Sequence, residues 1–331
     1  MEDEMGDIWL DSQTWFYRPA VGNLWEEKFR DKSFDSYLGK SSHPTQNHGL
    51  HLYLRVFLNP INKRTAAKDA DKKTFPIKDW SPAAWEKFRE EFQKQSNMWN
   101  NKFWLIPPRH FSVADHDLGR KFVRPNVACQ VHIELVDSRN QAHRKINVFN
   151  IDVDEVRRRD DIDDANPRLG KFRSDDRHLD STDVRTGPRT YEDHDGNEYT
   201  VKNHYTIAHE VGHAIGLKHI GALKHTEKCE LAMKFKEDKK DPKDIPSSMR
   251  GGGNAKVCYG EFDNDAIGLA ENIMGLGYKF EAVNAAPWQE RLGMHTNTTP
   301  YDWRVSLIPL HPQTVSEQDR RARDQRKWIA M

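Results

Sequence analysis

Three histidines and a glutamate stand within eleven residues, His209, Glu210, His213 and His219, in the pattern HExxHxxGxxH. On a helix, His209 and His213 are one turn apart, so both imidazoles leave the same face and can hold one metal ion. Glu210 is rotated to the side of that pair. There it is better placed as a general base toward a metal-bound water than as a ligand. Gly216 lets the chain leave the helix, because a left-handed residue at a helix end costs glycine little, and the turn returns His219 as a third ligand. Three protein nitrogens with one position left to water is the catalytic arrangement of zinc, whereas structural sites close with four protein ligands. Ile207, Val211, Ala214 and Ile215 add an apolar face at helical spacing. A buried helix whose histidines merely satisfy hydrogen bonds would have to explain three of them at metal spacing.

At these residues the chain resembles the metzincin clan of zinc peptidases, whose pattern is HExxHxxGxxH followed by a methionine-containing turn. The resemblance implies zinc at His209, His213 and His219, Glu210 as general base, and endopeptidase action on a protein or peptide substrate. It also implies an α/β (α+β, zincin-like) fold: a twisted mixed sheet with a backing helix and the active-site helix, and a smaller irregular or helical C-terminal subdomain across a cleft. The residue after the third histidine is Ile220, unlike the serine or threonine, glutamate, proline or aspartate of the best-known families. Substrate preference is therefore not carried over. Two methionines suit the turn, Met249 in Ser247-Ser248-Met249-Arg250 and Met274 in Asn272-Ile273-Met274-Gly275. Apolar Ile267, Leu269 and Ile273, and a helix-like stretch from Pro287 to Leu292, favour Met274. Its thioether would pack as a floor under the ligands without binding metal. Where many clan members have a tyrosine two residues later, this chain has Leu276, and Tyr278 is the nearest substitute.

The elements that must position these groups are legible upstream. His51 to Leu58 alternates as a strand and Asn59-Pro60 stops it. Ser81-Pro82 opens an amphipathic helix through Trp85, Phe88 and Phe92 toward Trp99. Phe103 to Ile106 reads as a strand. Val127 to Val136 and Ile146 to Val153 read as two more, joined as a hairpin through Asp137-Ser138-Arg139-Asn140. By the metzincin resemblance, the run 127–136 is expected to be the exposed edge strand that takes an extended peptide by strand addition. Thr190-Tyr191 and Tyr199-Thr200-Val201 flank the turn signal Asp195-Gly196, a short hairpin feeding the active-site helix. His194 and His204 are near enough in sequence to support a ligand, or lie on the surface. The expected organisation is an aromatic-rich arm over 1–45, which either packs on the main domain or acts as an inhibitory or docking segment, an upper subdomain over 46–220 and a lower subdomain over 221–331. The lower part begins with a charged insertion to about residue 265 that borders the cleft. The tail carries Val305-Ser306-Leu307-Ile308, and Ser316 to about Trp328 reads as a terminal helix docking through Trp328 and Ile329.

Composition narrows the classes further. Lys plus Arg equals Asp plus Glu, 51 each over 331 residues, which argues for neither nucleic acid nor an anionic membrane as partner. No segment approaches the ~18 apolar residues of a membrane helix. The acidic start, Met1 to Asp7, is no secretory leader, so the chain is expected to be cytoplasmic, a mature form, or exported without a classical leader. A leaderless peptidase of this kind could be a toxin delivered by a secretion machine. Cys229 and Cys258 are bridged in an oxidising compartment or reduced in a reducing one, and Cys129 reads as a small buried residue. From Asp154 to about Asp195 the chain is dominated by Asp and Arg; its run Asp160 to Asp164 offers oxygen ligands for calcium, but Arg157 to Arg159 adjoin the carboxylates and favour a solvated charged loop. The competing functional class is a zinc-containing peptide-binding module without catalysis, against which the intact Glu210 argues.

Overall fold

The computed structural model describes residues 16–17, 27–39, 48–68, 74–108, 123–124, 126–160, 175, 177–192, 198–224, 226–260, 271–310 and 313–314. In chain order the strands are β1 (Phe16–Tyr17), β2 (Glu27–Phe29), β3 (Asp35–Gly39), β4 (His48–Ile61), β5 (Ala66–Lys68), β6 (Thr74–Pro76), β7 (Trp104–Ile106) and β8 (Val123–Arg124). They continue with β9 (Val127–Leu135), β10 (Arg144–Phe149), β11 (His178–Asp180), β12 (Gly187–Glu192), β13 (Glu198–His204), β14 (Arg304–Ser306) and β15 (Gln313–Thr314). The helices are α1 (Pro82–Ser96), α2 (Val153–Asp160), α3 (Thr206–Ala214), α4 (Ile220–Lys224), α5 (Thr226–Glu237) and α6 (Ala286–Thr296). The fold is mixed α/β, with a sheet containing both parallel and antiparallel pairs. The chain forms two compact units, one of residues 1–54, 99–134 and 281–331, the other of 55–98 and 135–280.

In the first unit the strand order is β1-β2-β3-β4-β9-β7-β14. Leu50, Leu52 and Leu54 of β4 and Val127, Cys129 and Val131 of β9 are fully buried, the period-2 pattern of a sheet with one covered face. Trp99, Phe103 and Trp288 fill the core with ring centroids 5.5–6.5 Å apart, and Trp288 donates its indole N–H to the Gln130 carbonyl at 2.9 Å. Helix α6, longer than the expected 287–292, ties down the segment before β3 by Arg291 donating to Asp31 at 3.0 Å.

The expected edge strand at 127–136 is not an edge, since β9 lies between β4 and β7. The expected hairpin with β10 is also absent, because β10 instead runs parallel to β4 with Ile146 opposite Leu58. The reason lies in the connection. Val136 donates to the Val56 carbonyl and His143 to the Arg55 carbonyl, and carbonyls of successive strand residues point to opposite edges. The segment between them therefore crosses β4, whereas a hairpin would return β10 along β9 itself.

His295 of α6 has its ring buried, with Nε2 3.0 Å from the Ser36 hydroxyl. Burial first and the Arg291 charge second hold its pKa down at about 3. The unfolded chain takes up this proton below pH ~6.5 while the native one refuses it, so stability is lost as pH falls from there toward about 3. We expect His295→Gln to flatten the acid limb of a pH-stability profile measured by urea unfolding at pH 7, 6, 5 and 4. An unchanged slope would exclude this histidine as a source of acid sensitivity.

In the second unit, the end of β4, β10 and β11 form a parallel ladder. Helix α1 starts as its sequence predicts, with Ser81 Oγ accepting from Ala84 N at 3.2 Å and Pro82 in the first turn. It buries Phe88 and Phe92. The acidic stretch expected as a solvated loop is in part ordered as α2 and β11, because Val156 has an apolar cluster of Phe75, Ile77, Phe149 and Ile151 to pack into. The β12–β13 hairpin pairs Thr190 with Thr200 and leads into α3 as expected. The acidic run 161–164, His194, Asp195-Gly196, Ile267, Leu269, the first part of the arm and the C-terminal segment lie outside the described residues; residues 35–39 of the arm form β3.

Candidate metal centre

Helix α3 is apolar enough to be buried along almost its whole length: Ile207, Ala208, His209, Glu210, Val211, Gly212 and Ala214 are all covered. Arg144 of β10 donates to the Ala214 carbonyl at 3.0 Å and so binds the helix C-terminus, where a cation is favoured. The helix ends in a Schellman turn. Gly216 N donates to His213 O and Leu217 N to Gly212 O, both at 2.9 Å, around Gly216 at φ 102°. That conformation is why a glycine stands there. The same turn aims the Leu217 carbonyl back at the helix, where it accepts from His213 Nδ1 at 2.8 Å.

Each of the other two histidines is held in the same way. His209 Nδ1 lies 2.8 Å from Ile273 O and His219 Nδ1 3.0 Å from Gly253 O. A carbonyl can only accept, so all three Nδ1 atoms carry the proton and all three Nε2 atoms present a lone pair. Those atoms face one another: His209 and His213 are 3.1 Å apart at Nε2, and one nitrogen from each ring lies within 4.8 Å of the others. Three converging acceptors repel unless a cation sits among them. Ordering of each ligand through its second nitrogen is also the usual support of a histidine metal site, so the residues present fit a transition-metal ion of the zinc class. Burial, with the charges of His213, His219 and His204 after it, depresses the pKa of His209 well below the ordinary value. Burial and then His213 bring His219 to about 3. Both rings are thus kept in the neutral form that coordinates metal.

Glu210 is buried at 8% exposure, next to His209 on the same helix. Met274 is fully buried, and the turn around it carries two of the supports. Ile273 O holds His209, and Met274 O accepts from Ile220 N at 2.9 Å, directly after the third histidine. Met249 packs elsewhere, against the cluster of Cys229, Ala232, Ala255, Val257 and Cys258. His204 is buried with its ring 6.1 Å from that of His209, its Nδ1 2.7 Å from Leu276 O. Position 276 thus contributes its carbonyl to the site. Tyr278 is half-buried and joins the turn through its N–H, which donates to Glu271 O.

The tyrosine beside the histidines is Tyr259, which belongs to no motif of the sequence. Its ring centroid is 4.0 Å from that of His219 and 6.1 Å from that of His209. Gly253 and Tyr259 both come from the charged insertion, whose described residues form α4, α5 and short 3-10 turns. A disulfide between Cys229 and Cys258 ties α5 to the 3-10 turn that ends at Tyr259, and Cys129 is a buried free thiol. Cys258 adjoins Tyr259, so the bridge holds the segment that supports His219. Reducing the bridge, or Cys229→Ser with Cys258→Ser, is expected to weaken metal affinity about 10-fold or more, measured by competition with a chromogenic chelator. Unchanged affinity would show that the insertion holds His219 without it.

No protein-family model matches the chain, and no curated protein or solved structure matches it. Among the described residues no helix is long and apolar enough to cross a membrane.

Proposed function

We propose that this chain is a zinc metalloendopeptidase of the metzincin kind. The observation that carries the reading is the convergence of three Nε2 lone pairs, each fixed by a backbone carbonyl behind it, beside a buried glutamate on the same helix. Zinc bound there would supply Lewis-acid polarisation of a peptide carbonyl and acidify water. Glu210 accepts a proton from the attacking water and passes it to the amine nitrogen as the C–N bond breaks, which balances the hydrolysis. His204 holds the turn after Met274, and Tyr259 covers the His219 side of the site.

The test is a mixed peptide library incubated with the full-length protein, with and without a chelator, and read by mass spectrometry. Cleavage that the chelator stops and added zinc restores is the expected result. Intact peptides with zinc demonstrably bound would overturn the reading in favour of a non-catalytic zinc module.

A further inference from the structure

The segment that the Cys229–Cys258 bridge closes, with the turn that ends it, meets the third histidine at three places. His219 Nδ1 donates to Gly253 O at 3.0 Å, inside the loop. The Tyr259 ring, next in sequence to Cys258, stands 4.0 Å from the His219 ring. Helix α4, which begins directly after His219, rests on the backbone of the bridged turn: a Cβ at Gly221 would come within 1.9 Å of Val257 O and 2.8 Å of the Cys258 carbonyl carbon. Only glycine allows that approach. The apolar cluster around the bridge is built of small side chains, Ala232, Ala255 and Val257 with the two cysteines, and Met249 only partly buried. Packing of so little apolar surface is weak, and the covalent tie carries the closure.

We propose that this bridge is a redox gate on the metal centre. With the thiols reduced, His219 loses its support and the chain holds metal weakly; closing the bridge assembles the third ligand, and the bound metal then shields the bridge. Opening takes two electrons and two protons from a dithiol, which leaves as its own disulfide, and closing returns them to an oxidised dithiol. Both cysteines are buried, Cys229 at 2% exposure and Cys258 at 0%, so a reductant reaches the sulfurs only after the segment opens locally. That opening withdraws Gly253 O and Tyr259 from His219. Metal at the triad opposes it, and by reciprocity the factor by which the bridge strengthens metal binding is the factor by which metal protects the bridge. The gate leaves the chain metal-poor in a reducing compartment and loaded in an oxidising one.

The inference rests on the triad holding zinc, the metal half of the peptidase reading, and not on peptide cleavage. Full-length oxidised protein, zinc-loaded or metal-stripped, is treated with a water-soluble phosphine, because a dithiol would itself chelate zinc. The phosphine gives two electrons to the bridge and becomes its oxide, while water supplies the oxygen and the two protons. Timed samples are alkylated; mass spectrometry follows the new thiols at Cys229 and Cys258, and the zinc content of the desalted protein follows the metal. Reduction is expected to run at least about 10-fold slower in the zinc-loaded protein, and zinc to leave in step with the new thiols. His219→Gln, which keeps His209 and His213, is expected to lose the protection. Equal rates with and without zinc in the wild type overturn the gate and leave the peptidase reading standing. Zinc that stays bound after both cysteines are alkylated, or protection that survives His219→Gln, overturns it too, whereas oxidised protein that takes up no zinc overturns both readings. The wild-type comparison decides by itself where the variant misfolds.

Discussion

Glu210→Gln is expected to keep the metal and lose about 10²- to 10⁴-fold in peptide cleavage, the range a positioned general base contributes. The substitution preserves the length and shape of a side chain that is 8% exposed within a packed helix, so the backbone has no cause to move. Nor does the cage depend on the carboxylate, because the Nδ1 atoms of His209, His213 and His219 are held by the carbonyls of Ile273, Leu217 and Gly253. What disappears is the proton acceptor. Zinc content by atomic emission and cleavage rate on the same preparation separate the two roles. His213→Ala gives the contrasting result, since it removes one of three nitrogens and should lose metal and activity together. A glutamine variant that cleaves at the wild-type rate would remove Glu210 from the chemistry, and one that loses zinc in proportion to activity would make it a structural residue.

The parts of the molecule legible in the sequence are those in which local chemistry and tertiary demand agree. Ser81-Pro82 specifies a helix start by capping and a fixed φ, and the structure begins α1 there. Gly216 specifies a left-handed exit, and φ is 102°. Position 127–136 shows the limit. Its alternation identifies a strand with one buried face, but edge or interior is decided by which strands pair with it, and β9 has β4 on one side and β7 on the other. The parallel pairing of β10 with β4 likewise depends on a crossing between residues 136 and 143 that no residue type announces. At the candidate metal centre the histidine cluster is readable because helix periodicity fixes the relation of residues 209 and 213. Their supports were not, because Ile273, Leu217 and Gly253 act through carbonyls, which every residue possesses. Tyr259 reaches the site only because the insertion folds back, fastened at Cys258.

Gly277→Ala should cripple the metal centre without altering any ligand. A Cβ at this position would stand 2.1 Å from Glu271 O and 2.4 Å from Glu271 Cα. Both are backbone atoms, so no rotamer change relieves the clash and the turn itself must open. That turn is closed by Gly277 N donating to Asn272 O, Tyr278 N to Glu271 O and Ile273 N to Lys279 O. Between those bonds lie the carbonyls of Ile273 and Leu276, which fix His209 and His204. Opening the turn withdraws the acceptor that keeps the proton on His209 Nδ1, and the ring is then free to turn its lone pair away from the other two. The expected cost is on the order of 3 kcal/mol in stability, with metal affinity reduced by about 10- to 100-fold. Gly187→Ala is the control, because a Cβ there meets nothing within 4 Å. Affinity by chelator competition, measured where far-ultraviolet dichroism shows both variants folded, decides the matter. If Gly277→Ala binds zinc as tightly as Gly187→Ala, the Met274 turn does not hold the first histidine in place, and the contribution of this segment to the site is reduced to packing.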